Sequence, residues 1–197
     1  MQFDILITGV GGQGTVLASR LLAIAAIHCG WTARTAETIG MAQRGGSVTS
    51  HVRIGDKHKA SIIPDGKANL LIGYEPAEAA RSIQKLATDG KCLVNMHPIQ
   101  SVLSALDRSY TDTGQIRDYI SAYVPDALLI DARKLCGATN VKALNIILLG
   151  VATGAGYLPF TKEIMMEVIQ NTIPKNYLEM NLEAFCRGFD IGSKNQQ

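Results

Sequence analysis

Apolar residues Phe3, Ile5, Leu6 and Ile7 open the chain and give way to Gly9, Gly11, Gly12 and Gly14. After Thr15 the residues to Cys29 are then apolar, interrupted only by Ser19, Arg20 and His28. A short apolar strand, a glycine-rich turn and a long apolar helix are the opening of a doubly wound α/β domain. The helix is apolar on most sides, so it must be buried on most sides, and Gly30 ends it. Residues 31–38 read as a second strand. Val48, Val52 and Ile54 then alternate with Thr49, His51 and Arg53, the period of a half-exposed strand. Gly55-Asp56 predicts a hairpin turn into residues 59–63.

Residues 68–74 read as another buried strand. Pro76 suits the first turn of a helix running to residue 88, Gly90 breaks it, and residues 92–95 are the next strand. A less regular linking region covers 96–113. An amphipathic helix over 115–124 and a strand over 127–130 come next. From Asp131 the pattern is helical: a short helix over 132–136, one over 140–151 that is apolar nearly all round, one over 161–170 and one over 177–187. In that last helix Leu178, Leu182 and Phe185 fall on one stripe that anchors it on the core, and Gly188 is the expected stop. The pattern predicts a Rossmann-like, mostly parallel sheet with helices on both faces. It adds a β-hairpin insertion after the second strand and a helical carboxyl-terminal part. Residues 1–191 make one domain, and 192–197 are a polar tail.

The 197 residues are 47% hydrophobic and 18% charged, which gives a sizeable core and a surface sparing in charge that a partner can share. A net charge of +2 argues against nucleic acid. No basic segment precedes an apolar run, so no secretion signal is expected, and the apolar stretch over 141–151 is too short to span a membrane. Cys29, Cys92, Cys136 and Cys186 are scattered without a Cys-x-x-Cys pair, against a zinc site or iron–sulfur cluster in this chain. The expectation is a reduced, cytoplasmic protein.

Candidate chemistry gathers in two glycine loops. Gly9-x-Gly11-x-x-Gly14 matches the dinucleotide fingerprint, and the helix start after it is an anion site or a close-packed structural turn. Glu37 stands where a ribose-binding carboxylate would, with Arg34 nearby, so the spacing admits NAD or NADP. The second loop, Gly40-Met41-Ala42-Gln43-Arg44-Gly45-Gly46-Ser47, does not belong to an ordinary dehydrogenase. Arg44, His51, Arg53, Lys57, His58 and Lys59 form the one basic cluster, either a solvated strand face or a surface for phosphate or an acidic partner. Glu75, Asn95 and Asp131 fall at carboxyl ends of strands and are candidates for a shared crevice or for helix caps, Asp131 more as a cap. Asn145 sits inside an apolar helix and needs a backbone partner or a subunit interface. The sequence holds no nucleophile elbow, no Lys-centred phosphate loop and no His/Cys cluster at metal spacing. His28, His51, His58 and His97 are isolated.

The chain resembles the gamma-type subunit or domain of the 2-oxoacid:ferredoxin oxidoreductases. The resemblance rests on residues 9–14 and 40–46, on Ser50-His51-Val52-Arg53-Ile54-Gly55, and on Ile130-Asp131-Ala132. It continues through Asn145 to Leu149-Gly150 and Asn181-Leu182-Glu183-Ala184-Phe185 with Gly188. Among the branches it is most similar to the beta subunit of the indolepyruvate enzymes. The family decarboxylates a 2-oxoacid on thiamine diphosphate, passes electrons through iron–sulfur clusters to ferredoxin and releases an acyl-coenzyme A. The resemblance implies that thiamine and clusters lie on a large partner subunit and that this chain alone holds no catalytic set. It also implies a hetero-oligomer with coenzyme A as co-substrate, and it assigns no residue of this chain to coenzyme A. From the loops and strand ends, Gly9, Gly11, Gly12, Gln13, Gly14, Arg44, Gly45, Gly46, Glu75 and Asn95 are the candidates for cofactor binding, with coenzyme A, another phosphate ligand, the partner or nothing as their ligand. The readings from other classes are an independent NAD(P)-binding dehydrogenase and a non-catalytic interaction module.

Overall fold

The computed structural model describes residues 1–40, 45–57, 60–99, 112–136 and 143–195. Six strands form one sheet in the order β2-β3-β1-β4-β5-β6. They are β1 (Phe3–Val10), β2 (Ala33–Ile39), β3 (Ser47–Ile54), β4 (Ala68–Gly73), β5 (Leu86–Asn95) and β6 (Leu128–Ile130). The helices are α1 (Thr15–His28), α2 (Pro76–Ser82), α3 (Thr113–Tyr123), α4 (Ala132–Cys136), α5 (Leu144–Gly154), α6 (Lys162–Thr172) and α7 (Lys175–Ser193). Only β3 runs against the others: it is antiparallel to both β1 and β2, while β1, β4, β5 and β6 pair in parallel. Alternation along β1 divides the core. Ile5 and Ile7 pack with α1, α5, α6 and α7 on one face; Leu6 packs with α2 and α3 on the other. The mostly parallel sheet with helices on both faces and a helical end is the fold expected from the pattern.

Three local expectations need correction. The antiparallel hairpin is β2–β3, closed around the second glycine loop; Ala60–Ile63 forms no strand. That segment instead lies over the far side of β3. Ile63 donates its N–H to His51 Nδ1 at 3.2 Å, and Arg53 Nη1 donates to the Ala60 and Ile62 carbonyls at 3.0 and 3.2 Å. The alternation therefore does not mark a solvated face: His51 is 3% exposed, and Arg53 clasps Asp4 through Nε and Nη2 at 3.0 and 2.9 Å. Two of the basic residues are thus built into the fold, Lys57 is exposed, and Arg44, His58 and Lys59 lie outside the described residues.

The helix after Pro76 ends at Ser82 in a single 3-10 turn, and β5 begins at Leu86. The carbonyls of Gln84 and Lys85 accept from Gly66 and Lys67 N–H, both at 2.9 Å, which draws the chain into the sheet. Lastly, Gly188 does not stop the last helix; α7 continues to Ser193. Gly188 and Gly192 lie against Gly150 and Gly154 of α5. A Cβ on Gly188 would stand 2.2 Å from the Ile147 carbonyl oxygen, and one on Gly150 would stand 2.2 Å from that of Phe185. Four-residue spacing on both helices lets the two backbones touch, and there glycine is a packing residue. Of the expected α7 stripe Phe185 is fully buried, while Leu178 and Leu182 pack on the core only in part.

Candidate functional site

The carboxyl ends of β1 and β4 and the start of β3 converge on one place. The two glycine loops meet there: Gly11 N–H donates to the Gly46 carbonyl at 2.9 Å. Gln13 turns its side chain inward rather than outward. Its Oε1 accepts from Val10 N–H at 2.7 Å and its Nε2 donates to the Tyr74 carbonyl at 2.9 Å, pinning the loop to β4. Gly9 leaves the room this needs, since a Cβ there would stand 2.6 Å from Gln13 Oε1. The underside of the loop is filled by its own chain.

The crest is open. Gly12 is exposed, with nothing within 4 Å of where a Cβ would stand. Gly14 precedes α1 with φ of 79° and no side chain caps the helix. The first-turn N–H groups thus face outward at the positive end of a 14-residue helix. Val16 and Arg20, one turn apart on α1, are both exposed. The crest can accept an anion.

Behind it lies a buried polar frame. Asn95 is fully buried; its Nδ2 donates to the Tyr74 carbonyl at 3.1 Å, and its Oδ1 accepts from Ala132 N–H at 3.0 Å and His97 N–H at 3.3 Å. This carboxamide ties together the ends of β4, β5 and β6. Glu75 accepts from Glu78 N–H at 2.9 Å and caps α2. Glu78 receives Ser47 Oγ at 2.6 Å and pairs with Arg81, fastening the end of the second loop to α2. Tyr74 is fully buried, donates its hydroxyl to the Asn145 carbonyl at 3.2 Å, and is held protonated well above the usual phenol range by burial. Asn145 Nδ2 reaches the Gly14 carbonyl at 3.4 Å, while its Oδ1 has no partner among the described residues. Asp131 caps α4 through Lys134 N–H at 3.2 Å.

The structure therefore brings Gly9, Gly11, Gly12, Gln13, Gly14, Gly45, Gly46, Glu75 and Asn95 into one neighbourhood; Arg44 lies outside the described residues. Their parts differ. Gly12 and the first turn of α1 form the open crest, Gly14 is covered on its Cβ side by Asn145, Gly46 buttresses the crest with Gly45 next to it in the chain, and Gln13, Glu75 and Asn95 brace it. Sequence reasoning missed Tyr74 and Glu78, and it placed Ser47 in the second loop without a role of its own. Glu37 reaches α1 rather than the first loop: β3 lies between β2 and β1, placing Glu37 two strands (about 10 Å) from β1, and its Oε1 accepts from Ser19 Oγ at 3.1 Å, on the helix between exposed Val16 and Arg20. Among the described residues no three His, Cys, Asp or Glu side chains cluster as a metal ion requires. No helix among them is long and apolar enough to cross a membrane.

Known proteins are similar to this chain over nearly its whole length. Indolepyruvate oxidoreductase subunit IorB of Pyrococcus horikoshii is 36% identical over 196 residues, covering 98% of this chain and 95% of that protein. The subunit of the same name from Thermococcus kodakarensis is 33% identical over 190 residues, covering 95% and 94%. Among solved structures, the gamma subunit of a keto/oxoacid ferredoxin oxidoreductase from Geobacter sulfurreducens superposes with a TM-score of 0.67 at 23% identity, covering 98% of this chain and 99% of that one. The 2-oxoglutarate:ferredoxin oxidoreductase of Magnetococcus marinus, solved with 2-oxoglutarate, coenzyme A and succinyl-CoA bound, reaches 0.72 at 16% identity over 98% of this chain and 31% of its own. The family model for pyruvate ferredoxin/flavodoxin oxidoreductase matches residues 4–191, and this chain belongs to that family.

Proposed function

We propose that this chain is the small subunit of an indolepyruvate-type, thiamine-diphosphate-dependent 2-oxoacid:ferredoxin oxidoreductase, which converts an arylpyruvate and coenzyme A to acyl-CoA, CO2 and reduced ferredoxin. On the large partner subunit, thiamine diphosphate supplies the chemistry that releases CO2 from the 2-oxoacid, and iron–sulfur clusters carry the electrons. The contribution of this chain is to bind and orient. The open amide crest at the start of α1, buttressed through Gly46, is the observation that carries this role.

An oxyanion suits that crest, because unpaired N–H groups and the helix dipole both favour negative charge. The residues present fit the phosphates of coenzyme A: the Gly12–Gly14 backbone and the first turn of α1 would hold them, with exposed Arg20 one turn further. Arg44, two residues before Gly46 in the sequence and outside the described residues, is a candidate for the same ligand or for the partner, because a guanidinium can grip phosphate or carboxylate in two places. Inward-turned Gln13 keeps the crest in shape whether or not a ligand is bound, so little ordering cost falls on binding.

The test is co-expression with the large subunit. A stable complex that reduces ferredoxin only when indolepyruvate or another arylpyruvate and coenzyme A are both supplied is the expected result. Failure to form a complex, or turnover without coenzyme A, contradicts it.

A further inference from the structure

A second cleft, of about 260 Å³, opens on the α2 face of the sheet, between β2–β3 and the turn that follows α2, with Thr38 and Thr49 each two residues from an end of the second glycine loop. Its floor carries registered hydroxyls. Thr38 faces Thr49 across β2 and β3, and Thr49 faces Thr8 across β3 and β1. Directly opposed residues of antiparallel strands share a face, so three hydroxyls stand in one row. Thr8, fully buried behind the cleft and not itself part of its lining, has no partner for Oγ1 among the described residues.

His51 lies two residues along β3 from Thr49 and so on the same face. It lines the cleft although it is 3% exposed. Its Nδ1 accepts the Ile63 N–H, which places the proton of the neutral ring on Nε2. That Nε2–H has no partner among the described residues. Ser82, Gln84 and Lys85 with apolar Leu6 and Ile62 complete the lining, and none of the described lining residues is acidic. Lys85 pairs at 2.7 Å with Asp65, which is 69% exposed in its side chain and holds the ammonium only weakly.

The local field is positive. Burial first, then Lys85 and Arg53, holds the His51 proton affinity below its ordinary value, with Asp4 opposing. Hydroxyls, an imidazole N–H, an amide and an ammonium around a cavity of this size are the donor set for an oxyanion. We propose that this cleft binds a small oxyanion, a phosphate group, through His51 Nε2–H, the Thr38 and Thr49 hydroxyls and Lys85.

The proposal is independent of the reaction at the glycine loops and is tested on the full chain without its partner. The His51 ring-proton signal is followed by NMR during titration with inorganic phosphate and, separately, glycerol 3-phosphate, with affinities from calorimetry. Saturable binding that raises the His51 pKa is expected. His51→Asn keeps an acceptor near the position of Nδ1 but loses the Nε2–H; Lys85→Met loses the ammonium at the lip. Each is expected to weaken binding about tenfold, about 1.4 kcal/mol. Tighter binding of the ester identifies the phosphate as part of a larger ligand, and tighter binding of the inorganic ion identifies free phosphate. A ring signal that neither compound moves overturns the proposal, as does an unchanged affinity in Lys85→Met, which decides the matter even if His51→Asn does not fold.

Discussion

Gly11 gives its backbone N–H to the carbonyl of Gly46 at 2.9 Å, so the two glycine loops of this chain are halves of one structure. The bond is made by main chain alone and tolerates variation in neighbouring side chains. It explains why a loop of dinucleotide-binding appearance stands beside a hairpin that a dinucleotide-binding domain lacks.

Gln13 holds the first loop from beneath. Gln13→Ala removes both of its hydrogen bonds and leaves Val10 N–H without its acceptor. A loss of about 2–3 kcal/mol in chemical denaturation is expected. A loss below about 0.5 kcal/mol would show that the loop does not need this brace.

His51 makes stability fall in mild acid. Its pKa in the fold is lowered below the ordinary histidine value of 6.5, by burial first and then by Lys85 and Arg53. Its contribution is complete above the unfolded value and is lost as pH falls from 6.5 through the lowered native value, where the unfolded chain takes up the proton more readily. Protonation of Nδ1 also costs the Ile63 hydrogen bond. Stability measured across that window should drop more steeply in the parent than in His51→Asn, and parallel curves would refute this.

Gly188 and Gly150 bring α7 and α5 into backbone contact. An ordinary glycine-to-alanine change within a helix stabilises by about 1 kcal/mol. Gly188→Ala should instead destabilise by about 3 kcal/mol, since the new methyl meets the Ile147 carbonyl and neither backbone moves cheaply. A stabilised variant would mean that the helices stand further apart.

The same pair of glycines shows what the sequence made legible. β1, its loop and α1 were readable because an apolar run, glycines and a buried helix each leave a local pattern. Gly188 was misread because local pattern treats glycine as a helix stop, whereas its role comes from α5, distant in sequence. The repeated spacings Gly150/Gly154 and Gly188/Gly192 were the signal available. The start of β5, Leu86-Ala87-Thr88-Asp89-Gly90, has no strand pattern of its own; hydrogen bonds from Gly66 and Lys67 draw it toward the sheet. At the candidate site the glycines of both loops were legible. The contact between them was not, because main-chain bonds leave no mark in residue type. Glu37 had the right spacing for a ribose but sits on a strand that β3 separates from the loop.

The isolated chain should be colourless and should not oxidise a 2-oxoacid. Cys29, Cys92 and Cys186 are free thiols, and burial pushes Cys92 up to about 12, far from the thiolate that cluster ligation needs. Stoichiometric iron and sulfide with visible absorbance in the purified chain would contradict this.

Coenzyme A dependence of the reconstituted enzyme tests the crest most directly. Val16 is 49% exposed in the first turn of α1. Val16→Glu places a carboxylate where the helix dipole welcomes it, so folding should be preserved or slightly strengthened, while an incoming phosphate is repelled. Val16→Gln supplies similar bulk without charge. With assembly confirmed by size-exclusion chromatography, KM for coenzyme A should rise about tenfold in Val16→Glu, about 1.4 kcal/mol, and stay near the parent value in Val16→Gln. A parental KM in Val16→Glu, with the complex intact, would contradict a phosphate-binding role for this crest.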